Sequence, residues 1–73
     1  MFITNSGKDL IDRARASKGM TIKDLAKAMG LKDQNNVINY INGKRKVSLK
    51  TIAKIANALG IDPDELAKHT QIK

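Results

Sequence analysis

Three consecutive carboxamides, Gln34, Asn35 and Asn36, follow Asp33 and lead into the apolar spacing Val37, Tyr40, Ile41. A carboxamide carries two donors and an acceptor, so an Asn or Gln can pair bidentately with adenine in the major groove of duplex DNA. Asn39 falls on an outer face of the same turn pattern, with Ile38 beside it as a group able to meet a thymine methyl or, equally, a neighbouring protein. Gln34, Asn35, Ile38 and Asn39 are therefore the candidate base-reading residues. Lys44, Arg45 and Lys46 come directly after Asn42-Gly43 and place positive charge where a phosphate backbone would run. Together with Asn36 they are assigned to phosphate. Taken singly, the amides would read as solvated helix positions and the basic run as an ordinary exposed loop. The turn before the amides and the basic loop after them favour DNA contact.

Caps and glycines mark the elements that must position these groups. The spacing Ser6 to Asp9 is that of a capping box and predicts a first helix that carries Leu10, Ile11 and Ala14 inward and stops at Gly19. Thr21 with Asp24 starts a second helix, with Leu25, Ala26 and Met29 as its apolar stripe and Gly30 as its end. After the turn Gly30-Leu31-Lys32, Asp33 caps a third helix that Gly43 closes. Residues 21–43 thus have the form of a helix-turn-helix. Ser48 begins a fourth helix with Leu49, Ile52, Ala53, Ala56 and Leu59 as its expected core face and Gly60 as its stop. Asp62-Pro63-Asp64-Glu65 supplies a cap, a proline at the first helical position and early carboxylates, starting a fifth helix that carries Leu66 and Ala67 and ends near His69. Nothing alternates like a strand. The expectation is an all-α, compact five-helix fold, a single domain over residues 1–73.

The 73 residues carry 14 Lys and Arg against 7 Asp and Glu, a formal net charge of +7, which points to a polyanionic partner. That charge is uneven. Residues 32–54 hold six Lys or Arg against one Asp, whereas residues 55–73 hold two Lys against three acids. With no cysteine and one histidine, no metal site or cofactor is expected. Without a glycine loop for phosphates or a Ser, His and acid pattern, an enzyme is not expected either. No apolar run approaches the ~20 residues of a bilayer span and there is no Trp, which speaks against a membrane partner. The opening Met1-Phe2-Ile3-Thr4 lacks the pattern of a secretory signal, so a cytoplasmic location is expected. Tyr40, Met20 and Met29 read as core, and His69 as an exposed residue at a helix C-terminus.

The ordered set Leu25-Ala26, Gly30, Val37, Asn42-Gly43-Lys44, Leu59-Gly60-Ile61 and Asp64 to Leu66 resembles the phage repressor and Cro-like (lambda repressor-like) helix-turn-helix family, over about Leu10 to Leu66. The resemblance implies a five-helix domain that binds operator DNA as a transcriptional regulator. It also implies that Thr21 touches phosphate from the start of helix two, that Gln34, Asn35 and Asn39 face base edges, and that Asn42 meets the backbone. Two features depart from the family pattern. Gly30 and Gly43 are one residue further apart than usual, and the extra residue is assigned to the turn at Lys32. Ile22 stands where many members carry a polar residue able to approach phosphate. The function expected is a sequence-specific reader of double-stranded DNA, a repressor. It is expected to act on its operator as a homodimer through helix five, with Leu66, Ile61 and Ile72 at the interface. The alternative is an antitoxin-like module that neutralises a partner protein, with DNA binding secondary.

Overall fold

A computed structural model describes residues 1–72. Five helices follow one another: α1 (Asn5–Lys18), α2 (Ile22–Ala28), α3 (Gln34–Ile41), α4 (Leu49–Leu59) and α5 (Pro63–Ala67). Two short strands, β1 (Phe2–Ile3) before α1 and β2 (Thr70–Gln71) after α5, pair antiparallel in the register Phe2↔Gln71 and Ile3↔Thr70. The five expected helices are present, and the two short strands are an addition to them. Two residues are too few to show a period-2 pattern, so their pairing leaves no trace in local sequence.

The caps explain where the helices begin. Thr21 Oγ1 accepts the Asp24 N–H at 3.1 Å while the Asp24 carboxylate accepts the Thr21 N–H at 3.0 Å, the reciprocal box expected from the sequence. Asp33, Ser48 and Asp62 likewise accept from the first turns of α3, α4 and α5. At α1 the cap is Thr4, whose hydroxyl accepts from the Gly7 N–H, and not Ser6. Ser6 is drawn elsewhere: its hydroxyl lies 2.8 Å from His69 Nδ1, and His69 Nε2 lies 3.9 Å from a Glu65 carboxylate oxygen. His69 is accordingly half-buried between the chain ends and is not the free helix-terminal residue expected.

The core gathers Ile11 from α1, Leu25, Ala26 and Met29 from α2, Val37 and Ile41 from α3, and Ile52, Ile55, Ala56 and Leu59 from α4, with Ile3, Val47 and Leu66. Two expectations change here. Leu49 is 68% exposed at the first position of α4, and the inward face is carried by Ile52, Ile55, Ala56 and Leu59, of which Ile55 lay outside the predicted stripe. Leu66 is fully buried, so it holds α5 against the core and is no part of a dimer surface. Met20 and Tyr40 are half-buried and pack against the core edge.

The α2 cap carries a pH-dependent contribution to stability. The Asp24 carboxyl is held below its usual value, first by the Thr21 backbone N–H and then by the Thr21 hydroxyl, with Lys27 and Lys23 adding to the effect. A depressed carboxylate stabilises the fold above its unfolded value and loses that contribution as pH falls through its folded one. Asp24→Ala removes the carboxylate itself and is expected to lower the melting temperature at neutral pH and to flatten the acid limb of the melting curve below about pH 4. Melting temperatures of the two proteins between pH 2 and 7 check this.

Candidate nucleic-acid interface

The turn between the paired helices fixes the register of α3. Met29 caps α2, Gly30 takes φ 77°, and Leu31 returns its N–H to the Ala26 carbonyl at 2.9 Å before Asp33 caps α3. With Asp33 as its cap, α3 begins at Gln34. Val37 and Ile41 are buried at i, i+4, and Leu31 is half-buried at the edge of the core. With that face turned inward, Gln34 and Asn35 stand exposed at the start of α3, and Ile38 and Asn39 follow half-buried along it. The helix thus presents amides at its exposed N-terminal end, and no acidic side chain follows the cap.

Positive charge flanks both ends of this face. After α3, Lys44, Arg45 and Lys46 are exposed, and the Lys44 and Arg45 backbone N–H groups both donate to the Asn39 carbonyl, at 3.0 and 3.2 Å. The Arg45 side chain folds back over α3. Its Nη1 donates to Asn36 Oδ1 at 2.6 Å and its guanidinium stands 5.8 Å from the centre of the Tyr40 ring. Asn36 and Tyr40, four residues apart on one flank of the helix, thereby hold Arg45 in place while donors remain on the guanidinium for an anion. The Asn36 carbonyl is occupied by this bond, and only its amide hydrogens are left to offer a phosphate.

The other basic group was not singled out in the sequence. Lys23, Lys27 and Lys32 line a shallow groove with Leu31 and Gln34, beside the first residue of α3. Lys23 and Lys27 are four apart on the exposed side of α2, a signal legible in the sequence once the turn is known. Thr21 is exposed at the start of α2; its oxygen is engaged in the cap, and its hydroxyl proton remains available to a phosphate oxygen. Asn42 is exposed beyond the last turn of α3, in a hollow shared with Thr4, Asn5, Ser6 and Gln71. Ile22 is half-buried against the core, and its side chain has no polar atom to offer. Lys50 and Lys54 are exposed on α4.

Among the described residues no cluster of His, Cys, Asp or Glu could hold a metal ion, and no helix is long and apolar enough to cross a membrane. No curated protein matches the chain in sequence. Similar solved structures include the following two. The restriction-modification controller protein C.AhdI from Aeromonas hydrophila is 38% identical, with 82% of this chain and 89% of that one covered at a TM-score of 0.72. The clp gene regulator ClgR from C. glutamicum shares the fold at 24% identity, 86% and 80% coverage and a TM-score of 0.71. Residues 11–66 match the helix-turn-helix family. From the paired α2 and α3, the caps that set them and these matches, the chain belongs to the Cro/C1, lambda repressor-like helix-turn-helix family, DNA-binding regulators of transcription and not enzymes.

Proposed function

We propose that the protein recognises a specific operator by inserting α3 into the major groove and represses by occupying it. The observation that carries this reading is the carboxamide face of α3 with basic groups at both ends, Lys23, Lys27 and Lys32 on one side and Lys44 to Lys46 on the other. Phosphate contacts at the flanks orient the helix, and Gln34, Asn35, Ile38 and Asn39 read the base edges between them. Thr21, Asn36 and Asn42 add neutral phosphate donors. A body of 29 × 22 × 19 Å lying on its site excludes other proteins from it, so repression needs no further device.

The working form on DNA is a homodimer. An eight-residue α3 is about 12 Å long and spans roughly 3–4 base pairs, too few for a unique site. A two-fold pair doubles the site and spaces its half-sites about 34 Å apart. With Leu66 in the core, the apolar surface left near α5 is the half-buried Ile61 and the 92% exposed Ile72.

Substitution of Gln34, Asn35 or Asn39 by Ala is expected to cost roughly 1–3 kcal/mol on the preferred site and little on random duplex, because a base pairing is lost while the electrostatic term survives. Titration of each variant against both duplexes checks it. Unchanged preference in a folded variant would remove that residue from the reading face.

A further inference from the structure

The basic loop that follows α3 lies against the first residues of the chain at one end and is hydrogen-bonded to them at the other. At one end Gly43, at φ 71°, sits so close to β1 that a Cβ there would stand 2.7 Å from the Ile3 carbonyl oxygen. At the other, the buried Val47 donates its N–H to the Met1 carbonyl at 2.7 Å. Between these two points Lys44, Arg45 and Lys46 project, exposed.

The geometry follows from the alternation of an extended chain. Thr4 turns its backbone N–H toward the C-terminal segment and donates to the His69 carbonyl at 2.9 Å, where its hydroxyl donates as well. Residues one step out of phase with Thr4, Met1 and Ile3, direct their carbonyls to the opposite side, where the loop lies. Ile3 is itself buried in the core, so this edge cannot drift. The N-terminal segment is a rail with β2 on one edge and the basic loop on the other.

A loop that is free in solution must lose backbone entropy before its cations can meet a phosphate, and a loop already held does not. We propose that the N-terminal segment Met1–Ile3 is a positioning element for DNA contact, holding residues 43–47 in the shape that presents Lys44, Arg45 and Lys46 to the phosphate backbone. The proposal rests on the reading that this loop meets phosphate.

The test compares Gly43→Ala with Gly19→Ala. Gly19 adopts a similar φ of 65° with nothing within 4 Å of a Cβ, so both variants carry the left-handed backbone penalty and only the first pushes against Ile3. Binding to operator and to random duplex is measured across a salt series, at a temperature where circular dichroism shows each protein folded. Gly43→Ala is expected to bind every duplex about tenfold more weakly and to lower the salt slope by about 1 to 2, with the ratio between operator and random DNA kept. Gly19→Ala is expected to match the wild type. A chain lacking Met1 and Phe2 keeps the buried Ile3 but loses the Val47 acceptor, and it is expected to move affinity and slope in the same direction; if Gly43→Ala does not fold, this chain carries the test alone. Wild-type affinity and slope in both variants overturn the proposal. The Lys44, Arg45, Lys46 triple Ala variant separates the two failures. A lowered slope there with none in the rail variants rejects the rail only, and an unchanged slope there rejects the phosphate reading and the rail with it.

Discussion

Leu66→Ala is expected to lower the unfolding free energy by about 2–5 kcal/mol. The side chain is fully buried and is the one buried residue of the five-residue α5, so Ala there leaves a cavity and removes the contact that anchors this helix. Small domains hold roughly 5–15 kcal/mol in total, and for a chain of this size each 1 kcal/mol shifts the melting temperature by about 4–8 °C. A fall of roughly 10 °C or more is therefore predicted, the same at two protein concentrations tenfold apart. Cold, folded protein should still bind its operator with wild-type affinity. A small melting shift that grows on dilution would instead place Leu66 at a subunit contact and contradict the packing described.

The Lys44, Arg45, Lys46 triple Ala variant carries the largest expected effect on binding. Each phosphate neutralised contributes roughly 0.9 to the slope of log K against log salt. Three lost contacts lower the slope by about 2.7, and near physiological salt this is about a hundredfold in affinity, roughly 3 kcal/mol. The loss falls on operator and random duplex alike, because phosphates carry no sequence. The same loop in Asn36→Ala keeps its three charges but loses the bond that steadies Arg45. A triple variant that binds with the wild-type slope would show that the backbone runs elsewhere, with the Lys23, Lys27 and Lys32 group as the next place to look.

Much of this was legible in the sequence for a local reason. Caps and helix stops act within four residues, so Thr21 with Asp24, Asp33, Ser48 and Asp62-Pro63 announce their helices without reference to the rest of the fold. What the sequence concealed is what distant residues decide. Ser6 has the spacing of a cap, yet Thr4 takes that role because the chain ends meet at His69, more than sixty residues away. Leu49 fits a helical stripe as well as Ile55 does, and only the direction from which α1, α2 and α5 approach α4 chooses between them. The same holds at the candidate interface. Positions 34 to 39 follow from the helix period once Asp33 is the cap, whereas the clasp of Asn36 and Tyr40 on Arg45 and the rail of Met1 and Ile3 need the loop to fold back.

Selection of bound duplexes from a random pool at physiological salt tests whether α3 reads DNA sequence with two copies to a site. The expected result is an enriched inverted repeat with half-site centres about 34 Å apart, occupied by two chains in mass measurement, and a consensus that changes when Asn35 or Asn39 is replaced by Ala. A pool that enriches no consensus, or a site without symmetry bound by a single chain, would contradict it.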